Sequence, residues 1–264
     1  MSKTAPKIVF PTLLHQAAAN QILAYFSTIR SVDTILVVNS CARGQAVPES
    51  DLDFAILVEP TTSAEEIATI EDRWAKFSEA DTKINAYKSF SKFSHLHLDI
   101  ITGNYVPTPL ELGASVDFFE LEIGNHLRYS APMQTTGSYF KELQSLWLPY
   151  YDEALRLERF EMLKTGCEYD LDHIQLFVKR GLFFQAFAIL YQAFQKFLQV
   201  LFIGARVYPI AYNKWIKYQM EVILEKPALY DKLPPILSLN NMESNEILIK
   251  AEMLRQLLHQ VAFV

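Results

Sequence analysis

The sequence predicts an α+β fold: an N-terminal mixed sheet with flanking helices, followed by a C-terminal helical bundle. Three observations point there. Apolar, β-branched runs at 34–38, 51–59 and 95–102 lie among helical patterns in the first half. Strand signals vanish beyond Pro132, where only helical periodicity remains. Half of the 264 residues are apolar, enough for a large core or two ordinary ones. The expected division is 1–135 and 136–264.

Residues 11–30 read as a helix opened by Pro11, with Leu13, Leu14, Ala17, Ile22, Leu23 and Phe26 on its apolar positions. Thr34–Val38 is a buried strand, 39–44 a turn and short helix, and 45–50 a loop holding Pro48. Asp51–Glu59 is a second strand. Residues 63–80 form a helix whose Ser63 and Glu66 suit a capping box. His95–Thr102 alternates cleanly as a third strand. Residues 116–123 read as a fourth, which Gly124-Asn125 would turn into a fifth at 126–130. Helices are then expected near 138–163, 168–180, 182–204, 211–225 and 244–260, with Gly181 as a stop and Pro227, Pro234 and Pro235 marking a connection. The apolar stretch 182–205 is interrupted by Gln185, Gln192, Gln195, Lys196 and Gln199 on roughly one helical face, so it reads as a buried helix with a polar stripe rather than a membrane span.

The net charge is −6, and all of it falls in residues 1–135, because Lys+Arg balance Asp+Glu beyond. An acidic half can host cations and repels a long polyanion, so no nucleic-acid partner is expected. Two distant cysteines, Cys41 and Cys167, make neither a CxxC nor a zinc cluster and suit a reducing compartment. The opening MSKTAPKIVFPTLLHQ has no apolar core of signal-peptide length. A cytoplasmic location is the expectation.

The segment that carries chemistry is Val37-Val38-Asn39-Ser40-Cys41-Ala42-Arg43-Gly44, then six residues, then Asp51-Leu52-Asp53. Strand alternation puts Asp51 and Asp53 on one face, where two carboxylates repel unless a hard cation neutralises them. Asp99 sits in another apolar strand, where a charge is costly unless paired or ligating. If that strand pairs beside 51–59, three carboxylates converge, as phosphoryl transfer with two metal ions requires. Ser40 and the backbone N–H groups at its turn can meet phosphate oxygens, Arg43 offers a charged fork, and Ser50 stands beside the first aspartate.

Residues 34–58, with Asp99, resemble the DNA polymerase β nucleotidyltransferase superfamily. Its pattern is a Gly-Ser turn, a glycine a few residues on, Ser-Asp-x-Asp, and a third acid on a later strand; Ser40, Arg43, Gly44, Ser50, Asp51, Asp53 and Asp99 match it in order. The resemblance covers about half of the chain and implies that the acids bind Mg²⁺, two ions with a nucleoside triphosphate, and that the turn serine binds its phosphates. The helical half is similar in layout to small antibiotic-modifying nucleotidyltransferases of the aminoglycoside or kanamycin type, a likeness that includes Tyr212-Asn213-Lys214-Trp215. That implies transfer of AMP from ATP to a hydroxyl of a small-molecule acceptor, with 1–135 catalytic, 136–264 acceptor-binding, and Lys214 reaching the triphosphate. A homodimer is left open. The alternatives are a protein-adenylating antitoxin and a non-catalytic nucleotide-binding relative. The departure from the pattern is Asn39, which stands where the family has glycine; Asn is the next most tolerant residue of positive φ.

Other patterns have plainer readings. Asp170-Leu171-Asp172 is read as a helix cap or solvated pair. His95, His97 and Asp99 share a face that zinc could use, but the paired aspartates favour magnesium. Cys41 is read as a packed small residue. The aromatics of 183–197 read as bundle core. Arg255 and His259 are close to the Arg…His motif of HEPN-type ribonucleases, with too short a gap.

Overall fold

The computed structural model describes residues 7–109 and 111–264; the first six residues of the expected leaderless start lie outside these. In chain order the elements are α1 (Leu13–Phe26), β1 (Val32–Val37), α2 (Asn39–Ala42), β2 (Leu52–Val58), α3 (Ala64–Ala80), α4 (Thr82–Lys88), β3 (Leu96–Ile101), α5 (Phe119–Ile123), β4 (Ala131–Thr135), α6 (Tyr139–Trp147), α7 (Glu153–Lys179), α8 (Phe183–Gly204), α9 (Ile216–Tyr218), α10 (Pro227–Tyr230), α11 (Pro234–Leu237) and α12 (Glu246–His259). Five-residue π-helical turns follow α5 (Gly124–Arg128) and α9 (Gln219–Ile223).

The sheet order is β3-β2-β1-β4. β1 is antiparallel to both β2 and β4, whereas β2 and β3 run parallel. Alternation decides what each face does. Phe54 and Ile56, with Ile35 and Val37, turn into a core closed by Ala18, Ala19, Ile22 and Phe26 of α1 and by Ile70, Trp74, Ile84 and Tyr87 of α3 and α4. Each fully buried Ile or Phe there contributes about 1.5–3 kcal/mol. Asp53 and Ala55, displaced by one residue, point to the opposite face. Ser63 caps α3 by accepting the Glu66 N–H, as its capping pattern predicts. At the far end of the sheet the buried Asp33 accepts the N–H groups of Tyr139 and Phe140 at 3.1 and 3.0 Å, fastening the first turn of α6. Gly137 is obligatory there, since a Cβ would lie 2.1 Å from an Asp33 carboxylate oxygen.

Among the described residues the chain divides into two compact units: 7–105 with 122–149, and 106–121 with 150–264. The helical unit thus starts at Tyr150 rather than 136, and it takes 106–121 from the N-terminal part. The physical reason is a buried polar cluster within that unit. Arg159 of α7 is chelated by Asp117 and Glu120, with contacts of 2.7–3.0 Å. The same cluster overturns the expected hairpin at 116–130. Asp117 lies just before α5 and Glu120 in its first turn, and the segment forms α5 and a π-turn, with the strand displaced to 131–135.

The core of the helical unit is the antiparallel pair α7 and α8 with α12. α7 runs unbroken for 27 residues through 164–167, where two helices were expected. Gly166 lies within it in ordinary helical conformation, and a Cβ there would meet Lys196 only at van der Waals distance, 3.8 Å. α8 is long and apolar enough to cross a membrane, and two thirds of its apolar window is buried in this core. Its polar stripe is partly internal: Lys196 and Gln199 are buried. Lys196 pairs with Asp170 at 2.6 Å. Asp170 is therefore neither a cap nor a solvated residue, and burial pushes its carboxyl up despite the ammonium. Only Asp172 of that motif is exposed, bonded to Arg255 at 2.8 Å. The Arg255 and His259 side chains both engage Glu168, which gives them a structural role. Breaking the Lys196–Asp170 pair by Lys196→Met alone is expected to cost about 3–5 kcal/mol, while Lys196→Met with Asp170→Leu restores most of it. Urea unfolding of the three proteins checks this.

Candidate active site

Two strands and one turn build the site, all within the N-terminal unit. The parallel register sets Asp53 opposite His97 and Ala55 opposite Asp99. Asp53, His97 and Asp99 therefore share the sheet face opposite α1, α3 and α4, with Asp99 one alternation further along than Asp53. His97 and Asp99 are exposed, and Asp51 and Asp53 are half-buried. Asp51 precedes the strand. Its Oδ1 accepts the His95 N–H at 3.1 Å, and its Oδ2 lies 3.9 Å from His97 Nε2.

Three carboxylates on one face suit a hard divalent cation by donor type. Among the described residues, however, no three His, Cys, Asp or Glu side chains stand close enough to make a ready-formed metal cluster. The expected zinc alternative at His95, His97 and Asp99 is likewise not preassembled; the two imidazoles are 6.1 Å apart, centre to centre.

The turn after β1 carries the other predicted residues. Asn39 has φ +57°, the left-handed conformation that the family's glycine would supply without strain. Replacing Asn39 by Ala is expected to cost about 1–2 kcal/mol through αL strain, whereas Asn39→Gly leaves stability nearly unchanged; thermal unfolding of the two variants tests the difference. Gly44 is also left-handed, at φ +68°. Ser40 is half-buried on α2. The Ser50 hydroxyl accepts the Val47 N–H at 2.9 Å, tying off the loop that delivers Asp51. Arg43 donates from Nε to Gln45 (3.0 Å) and from Nη1 to Asn125 (3.4 Å). Cys41 is buried, and burial together with the Asp53 charge pushes its thiol up to about 12, so it stays protonated and unreactive at neutral pH.

Lys214 belongs to the helical unit, apart from the other predicted residues. It is not helical, because Trp215 at φ +60° interrupts the expected 211–225 helix, which starts only at Ile216. Gln219 fixes this turn, donating from Nε2 to the Ala211 and Lys214 carbonyls at 2.7 and 3.1 Å.

The sequence pattern missed four residues around the site. Asn125 and His126 sit on the π-turn that was expected to be a hairpin. Asn125 reaches Arg43, and His126 feels the Asp99 charge, although burial dominates and lowers its imidazole to about 4. His15 and Tyr87 are fully buried beneath the loop before Asp51. The available signal was a polar residue on the apolar face of each helix.

Residues 19–119 match the model of the nucleotidyltransferase domain family. This stretch holds Ser40, Arg43, Gly44, Ser50 and all three acids. Over this stretch, about two fifths of its length, the chain is similar to that family, whose name describes transfer of a nucleotidyl group. A nucleotidyltransferase-like protein from Exiguobacterium sibiricum 255-15 is similar in structure, with 11% identity, a TM-score of 0.42, and 93% of this chain and 74% of that chain covered. No curated protein matches the chain.

Proposed function

We propose that this protein transfers a nucleoside monophosphate, AMP from ATP, to a hydroxyl of a small acceptor of aminoglycoside-like chemistry. The observation that carries the reading is the β2/β3 register, by which Asp53 and Asp99 share one face of adjoining strands, with Asp51 just before the first of them. In this reading Asp51, Asp53 and Asp99 hold Mg²⁺, two ions when the nucleotide is bound. A cation held there supplies Lewis-acid polarisation of the phosphoryl oxygens. The chain's own residues do the rest. The Ser40 hydroxyl donates to a phosphate oxygen, next to Gly44, whose lack of a side chain leaves the turn open. Arg43 exchanges Asn125 and Gln45 for a charged fork on the phosphates. Ser50 keeps Asp51 in place. Asp99 accepts the proton of the attacking hydroxyl as the α-phosphorus is attacked and pyrophosphate leaves. The site needs no nucleic acid or membrane, and the cytoplasm, where ATP is abundant, is its setting.

The test is incubation with labelled ATP, Mg²⁺ and a panel of hydroxyl acceptors, wild type beside Asp51→Asn. Label transfer with pyrophosphate release is expected from the wild type alone. Equal transfer by the variant would sink the assignment.

A further inference from the structure

The Asp51 carboxylate is presented from outside the strand ladder, since β2 begins at Leu52. Something other than sheet hydrogen bonding must therefore fix it. Two buried polar side chains converge on the peptide group immediately before it. His15 of α1 is fully buried, with Nε2 3.0 Å from the Ser50 carbonyl and Nδ1 2.7 Å from the Thr12 hydroxyl. Ser50 O can only accept, so Nε2 carries the proton, and Nδ1 accepts from Thr12. Tyr87 of α4 is also fully buried. Its hydroxyl proton is shared between the Ser50 carbonyl at 3.2 Å and the His95 carbonyl at 3.0 Å. The two rings meet edge to face, 4.8 Å between centres.

The clamp reaches both strands. His95 O also accepts the Leu52 N–H at 3.0 Å, and the His95 N–H, shared with the Phe93 carbonyl at 3.0 Å, donates to Asp51 Oδ1 at 3.1 Å. Tyr87 thus ties the residue before Asp51 to the residue whose amide orients its carboxylate. Burial and the negative charges of Asp51 and Asp53 push the Tyr87 phenol up, so it remains a donor at neutral pH. Burying two polar side chains in an otherwise apolar helix–helix seam is costly unless every group is matched. A bare packing role would be served as well by Leu and Phe.

We propose that His15 and Tyr87 are positioning residues that fix the Asp51 carboxylate, through the Ser50 and His95 peptide groups, in the orientation that cation binding requires. The proposal rests on the metal-dependent reading above. It predicts a specific defect: variants lacking the clamp fold, yet need more cation to work.

The variants are Tyr87→Phe, which removes one oxygen, His15→Leu, and His15→Gln, whose amide nitrogen can replace Nε2. Tyr87→Phe and His15→Leu are expected to raise the Mg²⁺ concentration for half-maximal transfer about 10-fold, with kcat largely recovered at saturating Mg²⁺, while His15→Gln stays near wild type. Ile22→Val, a core change in the same helix, is expected to lower Tm without moving the Mg²⁺ requirement. An unchanged Mg²⁺ requirement in both Tyr87→Phe and His15→Leu overturns the proposal. Amide hydrogen exchange gives a readout independent of turnover. The His95 amide should exchange at least several-fold faster in Tyr87→Phe than in wild type, and equal protection overturns the clamp. If the wild type neither transfers label nor binds Mn²⁺ while His95 still loses protection in Tyr87→Phe, the functional reading fails and the clamp on Asp51 stands.

Discussion

Asp53→Asn is expected to lower nucleotidyl transfer by on the order of 10³-fold while leaving the fold intact. The change preserves shape and removes one negative charge from the centre of the acid set. Asp53 is the carboxylate nearest the strand pairing: its register partner is His97, and its own carbonyl receives the Val38 N–H at 3.1 Å. The backbone is therefore held whatever the side chain carries. What is lost is electrostatic. Carboxylates that hold cations stabilise the charge developing on a transferring phosphoryl group by several kcal/mol, and about 4 kcal/mol corresponds to 10³ in rate. Asp172→Asn is the matched control. It sits in the other Asp-x-Asp pattern, on a solvated face of α7, and should leave transfer unchanged. Pyrophosphate release at saturating ATP and Mg²⁺, with circular dichroism and Tm for each protein, decides the matter. A loss in Asp53→Asn smaller than 10-fold would remove that residue from the machinery.

Those two patterns show what could be read in the sequence and what could not. Asp51-x-Asp53 stands out because two charges flank Leu52 where an apolar strand begins, and that conflict with the local pattern is visible without knowing the fold. The Asn39 turn was legible for the same reason, since few residues accept φ of +57°. Asp170 was not, because its partner Lys196 lies 26 residues away on another helix. The stretch 116–130 failed for a related cause. Val116, Phe118 and other apolar residues alternate with acids and so imitate a strand. What holds the segment in its observed path is Arg159, about 40 residues later, which bonds Asp117 just before α5 and Glu120 within it. Nothing in a local window carries that information. His15 and Tyr87 belong to the same class: each is a polar residue whose partner is a backbone carbonyl, and carbonyls leave no mark in a sequence.

Arg159→Met is expected to destabilise the protein by about 3–5 kcal/mol at pH 7, with a deficit that shrinks as the pH falls. The guanidinium is buried and donates to both oxygens of Glu120 and both of Asp117. Gln199 Nε2 reaches both carboxylates at 2.7 and 2.8 Å, and Tyr151 donates to Glu120 at 2.7 Å. These neutral donors cannot replace a charge. Without the arginine, two carboxylates share a buried site, and both burial and mutual repulsion raise their folded-state affinity for protons. A group whose folded pKa is raised above its unfolded value is stabilising below the unfolded pKa and loses that stability as the pH rises through the folded one. In the variant, therefore, acidification lets one carboxyl take a proton, become a donor to the other, and recover part of the loss. Urea unfolding at pH 7 and pH 5 measures the two differences. Arg159→Met with Asp117→Asn and Glu120→Gln should be more stable at pH 7 than Arg159→Met alone, because it removes both unpaired charges. A deficit that is independent of pH would mean that the arginine's contribution is packing against Phe119, whose ring centre lies 5.0 Å from the guanidinium, rather than charge.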